Sequence, residues 1–432
     1  MKNDKKVIRS WAFFDWANSA YNLVITSTIF PAYYTIITRT DAHGDQVSFF
    51  GIQFTNTALS NYALSFAYLM MVILLPIVSS IADYRGNKKV FMKFFTYMGG
   101  MACIGLYFFK LETLELGIIC FVIAAMGYIG GVLINNSYLP EIATPDQQDR
   151  VSAKGFSFGY IGSVILQLIC FVFVLKPELF GIVDASFPAR LSFLLVGVWW
   201  IGFAQIPFKA LPDGHAGNKK INKNIIKNGF QELSKVWGQL SKMRFLKLFL
   251  LAFFFYSMGV QTIMLAAAGF GEKTLQLGTE KLIATILIIQ LVAILGAIMM
   301  SYFAKKVGNI RVLIYVVLIW IGACICGYYV ANEYQFYALA ALVGLIMGGI
   351  QSLSRSTFSK YIPEDSPDTT SFFSFYDVTE KLAIVIGLFS FAFIEELTGS
   401  MRNSIIALAG FFIIGLVFLL ALKRVEKKLV GI

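Results

Sequence analysis

The sequence predicts an all-α membrane protein of twelve spanning helices arranged as two six-helix pseudo-repeats. Three observations predict it. Of 432 residues, 57% are hydrophobic and 14% charged, whereas charged residues run near 25% in soluble domains. Apolar runs long enough to cross a bilayer, roughly 20 residues each, recur along the whole chain. Short motifs of the first half return, in the same order, in the second.

The spans follow in order. After a basic tail, MKNDKKVIR, the first runs over 11–37. It is too long and too polar for a signal peptide, and no small-residue cleavage site follows, so it is read as retained. Five more lie at 57–81, 90–109, 115–137, 155–175 and 189–208. A polar stretch at 210–245 intervenes, and the pattern resumes at 246–270, 281–303, 312–331, 336–354, 372–394 and 404–422. The expected organisation is therefore an N-terminal bundle (1–209), a linker (210–245) and a C-terminal bundle (246–432).

Charge sets the expected orientation. With the N-terminus inside, 28 of the 36 Lys and Arg fall in inner segments and 7 in outer ones, with Lys381 inside a span. Both termini are then cytoplasmic. The net charge of +11 records this bias and does not imply nucleic acid. The five cysteines lie in apolar runs, where free Cys behaves as a small hydrophobe. Cys324 and Cys326 point about 200° apart on a helix and make no metal site. The two histidines, His43 and His215, fall in predicted loops, so the spans hold none. In the linker, Ile226, Phe230, Leu233, Trp237 and Leu240 fall at heptad spacing among Lys223, Lys227, Lys235 and Lys242, the pattern of an amphipathic helix that lies on the inner leaflet or caps the bundle.

Three echoes argue for duplication of a six-span unit. IADYRGNKKV (81–90) returns as FAKKVGNIRV (303–312), YLPE (138–141) as YIPE (361–364), and AFFDW (12–16) as AFFFY (252–256). Gly86 serves a tight turn between antiparallel spans. Asp83 and Arg85 beside it are expected in an interhelix charge network that gates access, with simple topological anchoring as the other reading. The echoes also show where symmetry is broken: Asp15 aligns with Phe255, and Gly159, Tyr160, Ser163 and Val164 align with Tyr376, Asp377, Glu380 and Lys381.

Charges inside spans mark candidate sites, because a charge at the bilayer centre costs at least a few kcal/mol. Asp377 and Lys381 stand at i,i+4, with Glu380 at i+3 from Asp377. One helix face then presents an ion pair and a spare carboxylate, Glu380. The pair either fixes helix packing or forms a substrate or proton site. Asp15, Asn18 and Asn22 stand at i, i+3 and i+7 on the first span, which places them on one face; Asp15 reads either as a shallow carboxylate near the inner interface, neutralised by Arg or Lys, or as a cavity-lining group. Asn135 with Asn136, and QSLSRS (351–356) with Gln351 and Arg355, concentrate hydrogen-bonding groups at inner span halves. Arg355 reads as an anion ligand or as an anchor to the interface.

These residues also carry a resemblance. ADYRGNKK (82–89) resembles the signature loop of the major facilitator superfamily, with Tyr84 and Asn87 as departures. FFDWANSAYN (13–22), NSYLPEIATPDQQDRVSAKGFSFGYIG (136–162) and GGIQSLSRSTFSKYIPEDSPDTTSFFSFYDVTEKLAIVIG (348–387) resemble the vacuolar effluxer family related to autophagy and its bacterial members. The resemblance implies a twelve-span major facilitator fold and membrane transport; fungal relatives are associated with export of amino acids from the vacuole. Asp15, Asn18, Asn22, Arg355 and Lys381 fall within the matched motifs, and Glu380 is not carried over.

The expected function is secondary transport of a small polar or charged, amino-acid-like solute by alternating access, coupled to protons. Lys381 receives an anionic group, Asp15 or Glu380 carries the proton, and Asn18, Asn22, Asn135, Asn136 and Gln351 orient the substrate. A monomer in a bacterial inner membrane is expected, with no metal, no cofactor and no enzymatic activity. A receptor or assembly protein that retains the fold is the alternative. A lipid-modifying enzyme is disfavoured by the missing intramembrane histidine and nucleophile motif.

Overall fold

The computed structural model describes residues 2–39, 44–182, 184–213, 225–364 and 366–430, with the backbone alone for 225–229, 232 and 427–430. His43, His215 and Lys223 lie outside the described residues, as do the side chains of Ile226 and Lys227.

Ten helices among the described residues are long and apolar enough to cross a membrane. Two further passes complete twelve. The first is continuous but changes character: an α-helix over Lys5–Ala20, a π-helix over Tyr21–Ile29 and an α-helix over Phe30–Thr38. The eleventh, Thr369–Thr398, carries Asp377, Glu380 and Lys381 in its body, so it is too charged to qualify by hydropathy alone. An even number of passes puts both termini on one face, called here the terminal face.

Between these, the second to sixth spans are Asn56–Arg85, Lys88–Gly105, Leu114–Ser137, Gln148–Leu175 and Phe187–Ala210. The seventh to tenth are Arg244–Lys273, Thr279–Val307, Asn309–Tyr329 and Glu333–Lys360, and the twelfth is Met401–Val430. The two echoed loops each turn on a glycine. Gly86 ends the second span at φ +63 and Gly308 ends the eighth at φ +91, conformations that an L side chain resists. In the loop after the first span, strands β1 (Gln46–Phe49) and β2 (Ile52–Thr55) form an antiparallel hairpin.

The first span packs on the fifth and sixth, and the seventh on the eleventh and twelfth. The halves meet where the second span packs on the eleventh and the fifth on the eighth. One buried apolar cluster lies within the first six spans. The other fills the last six and reaches across the junction through Met71, Leu75, Phe95 and Leu133. Side chains such as Ile73, Leu295 and Phe389 are exposed on the outer surface, which suits contact with lipid tails.

The linker helix, Ile225–Lys242, lies across the second span and the terminal-face ends of the seventh and eleventh. The expected heptad face is only partly the packed one. Leu240 is buried, but so is Val236, while Phe230 and Trp237 are largely exposed. Val236 and Leu240 stand at i,i+4 and form the inward stripe. Trp237 touches Phe375 at 5.4 Å between ring centroids, and Lys235 lies 3.0 Å from Asp368. The helix therefore also caps the bundle.

Candidate functional site

A cavity of about 190 Å³ lies between the halves. Asp15, Asn22, Asn136, Gln351, Arg355, Asp377, Glu380 and Lys381 all line it, so four spans, the first, fourth, tenth and eleventh, bring the expected polar groups to one place. Asn18 and Asn135 do not line it. Asn18 stands about 60° around the helix from Asp15, as an i+3 spacing dictates, and is buried. Asn135 lies behind the wall, donating through Nδ2 to Asp15 Oδ1 at 3.0 Å. Its backbone carbonyl accepts from Trp11 Nε1 at 2.8 Å.

Asp15 lines the cavity. The helix begins at Lys5, so Asp15 is about 15 Å along it at 1.5 Å per residue. The hydropathy reading started the span later because the first turns are charged and polar. On the cavity floor Arg355 Nη1 lies 3.1 Å from Asp15 Oδ2 and donates to Asn136 Oδ1 at 3.2 Å. Arg355 Nε donates to Ser152 Oγ at 2.9 Å and Nη2 to the Ser152 carbonyl at 2.8 Å. The guanidinium also lies 4.8 Å from the Trp11 ring and 4.2 Å from Phe156, within reach of cation–π attraction. Fixed on every side, Arg355 is a buried structural ion as well as a cavity wall and does not reach the interface. A side chain at Gly155 would sit 2.7 Å from Arg355 Nη2 and collide with Asp15, so only glycine lets the fifth span pass this pair.

The eleventh span departs from its expected pairing. Lys381 Nζ meets Glu380 Oε2 at 2.5 Å, and Gln261 Nε2 donates to Glu380 Oε1 at 3.0 Å. Glu380 is therefore not spare. Asp377 makes no ion pair among the described residues; its Oδ1 accepts from Asn136 Nδ2 at 3.3 Å. Helical spacing fixes where Cβ atoms point, but long side chains turn their ends toward shared polar volume, and Glu380 and Lys381 both open on the cavity. Asp15 and Asp377 share that cavity through Arg355 and Asn136, which stand between their helices.

Toward the terminal face the halves are sealed by polar contacts. Asp83 Oδ2 accepts from the Ser371 backbone N–H at 2.6 Å, and Oδ1 from that of Thr370 at 3.2 Å. Its hydrogen-bond partner is thus the N-terminus of the eleventh span, where a carboxylate is favoured, and it makes no ion pair among the described residues. Arg85 makes no ion pair or hydrogen bond among the described residues, so the expected charge network does not include it. Lys88 meets Glu141 at 2.5 Å and Thr369 Oγ1 at 3.3 Å. Asp149 accepts from Asn309 Nδ2 at 2.7 Å and meets Lys360 Nζ at 2.5 Å. On the same face Lys89 donates to Asp213, which holds that carboxyl below the usual carboxylate range. Among the described residues, the hydrogen bonds joining the halves run from the cavity to the terminal face, and none lies at the opposite face.

Ser152, Gly155, Glu141, Asp149 and Gln261 were not singled out as site residues. The first four sit within the quoted 136–162 motif, which is the available signal; Gln261 lies outside the quoted motifs.

Comparison with known proteins follows the same line. The family model described as "Vacuole effluxer Atg22 like" matches residues 3–430. The chain is 32% identical over 420 residues, covering 97% of itself and 95% of the relative, to an uncharacterized MFS-type transporter, YxiO, of Bacillus subtilis. It is 22% identical to autophagy-related protein 22 of Yarrowia lipolytica, covering 88% of this chain and 78% of that one. Among solved structures it is similar to the MFS transporter FucP in the outward conformation, with a TM-score of 0.70 at 15% identity over 97% of this chain and 99% of that one. It is also similar to the human organic anion transporter MFSD10, with a TM-score of 0.72 at 11% identity over 97% of this chain and all of that one. These structural likenesses establish the twelve-helix, two-repeat fold.

Proposed function

We propose that this chain, which belongs to the vacuole effluxer Atg22 like family, is a proton-coupled transporter of small zwitterionic, amino-acid-like solutes, resident in a bacterial inner membrane with both termini in the cytoplasm. Secondary transport itself follows from the fold and the transporter relatives. The finer reading is carried by one observation: groups of both charge signs line a single cavity that is hydrogen-bonded shut on one face only. A zwitterion finds a cation in Lys381 for its carboxylate and acidic groups for its ammonium. The family description favours export. With the terminal face cytoplasmic, the described state is outward-facing, and Asp83 on Ser371 is the contact that must break for the cavity to open inward.

The test is counterflow of labelled amino acids in proteoliposomes. Wild-type protein accumulates label under a proton gradient, and Lys381→Ala abolishes accumulation. Unchanged counterflow in Lys381→Ala removes Lys381 from the site. Saturable binding with no flux under any gradient favours a receptor that retained the fold.

A further inference from the structure

Three carboxylates line the cavity, and two are neutralised. Asp15 has Arg355 and Glu380 has Lys381. Among the described residues Asp377 has no cation of its own, and its Oδ2 accepts no hydrogen bond although the residue is 1% exposed. The charged and titratable groups facing it on its own helix are Tyr376, Glu380 and Lys381. From the tenth span comes Arg355. Tyr68 of the second span, Tyr128 of the fourth and Tyr256 of the seventh line the same space and bring no positive charge. Two bases against three acids leave the cavity with one unmatched negative charge. A buried charge without a partner is costly, and the group is stabilised by whatever neutralises it.

We propose that Asp377 is the cation seat of the cavity: it holds a proton when the cavity is empty and yields it to the ammonium group of the solute, so that solute and proton exchange at Oδ2. The exchange balances. The carboxyl O–H bond breaks, the proton leaves to cavity water, and an ammonium N–H donates to the bared oxygen, with net charge conserved. Phe253, Tyr256 and Tyr376 line the same cavity and offer aromatic faces for the rest of the solute, and such faces also attract an ammonium. Asn136 keeps the carboxylate oriented while reporting to Arg355 through its other amide atom. The inference rests on reading the cavity as a transport site and singles out Asp377 from Asp15 and Glu380 as the exchanging acid.

The experiment uses purified full-length protein in detergent. In infrared difference spectra between protein with and without phenethylamine at one pH, loss of a protonated-carboxyl band is expected in wild type and in Glu380→Gln, and no such loss in Asp377→Asn. In weak buffer with a pH dye, phenethylamine is expected to release about one proton per protein at saturation, as the one-site exchange written above requires, and 3-phenylpropionate none. The wild-type release needs no variant, so a misfolded Asp377→Asn does not spoil the test. A band loss that persists in folded Asp377→Asn, or no release by phenethylamine, overturns the proposal. Flux is scored separately in proteoliposomes: proton release without flux overturns the transport reading and leaves the cation seat standing, and flux without release does the reverse.

Discussion

Arg355 and Asp15, 340 positions apart in sequence, meet at 3.1 Å on the floor of the cavity. Each belongs to a different half, so the pair is at once a binding-site wall and a cross-link. Breaking a buried pair from one side leaves an uncompensated charge and costs about 3–5 kcal/mol. Arg355→Ala is expected to lower the thermal unfolding midpoint sharply. Asp15→Asn with Arg355→Gln together is expected to lose less than the sum of the single changes. Strict additivity in that cycle, measured by unfolding in detergent, is incompatible with direct coupling.

Gly155 lets the fifth span pass that pair. A methyl group there has nowhere to go but into Asp15 and Arg355, and overpacking of this kind costs about 1–3 kcal/mol. Gly155→Ala is expected to reduce both thermal stability and transport, with Gly155→Val worse. Retention of full counterflow by Gly155→Val means that the pair tolerates displacement.

Asp83 holds the eleventh span by its backbone N-terminus. Replacing it with Asn keeps one acceptor oxygen but removes the charge, a loss of up to about 2 kcal/mol in a partly buried geometry, and roughly 1.4 kcal/mol is tenfold in a conformational equilibrium. Spin labels at the exposed positions Arg150 and Lys306 on the terminal face should then show a new, longer distance component in Asp83→Asn. Identical distance distributions would remove Asp83 from the gate.

Gln261 steadies Glu380 from the seventh span. Gln261→Leu strips that hydrogen bond and leaves Glu380 to Lys381 alone, a change worth about 1.5–3 kcal/mol for a charged acceptor. The expected result is a lowered unliganded midpoint together with weaker binding of amino-acid probes in a thermal-shift assay. A large fall in that midpoint with binding intact would make Gln261 a packing residue instead.

How much of this was legible in the sequence differs from residue to residue. The spans were legible because lipid demands long apolar runs, and the duplicated loops gave the two halves. The eleventh span stood out because its charges violate that demand. The tertiary partners were not legible. Nothing local tells Arg355 that it meets Asp15, or Asp83 that it meets a backbone across the junction. Pairing within the eleventh span was misread because i,i+4 spacing describes where side chains begin, and Lys381 turned to its neighbour Glu380. Asn18 was misassigned for the converse reason, since an i+3 step falls short of the face that Asp15 and Asn22 share.

The one-sided seal has a consequence for solvent. Lys88 and Asp149 are buried and Asp83, Glu141 and Lys360 half-buried while the halves touch, and screening acts weakly on buried charges. Once the seal parts, those charges meet the aqueous phase and gather counterions. Dissolved electrolyte therefore lowers the free energy of the parted form and leaves the closed form almost untouched. Ionic strength on the terminal side becomes a thermodynamic handle on which way the molecule faces, independent of any gradient of the solute it carries.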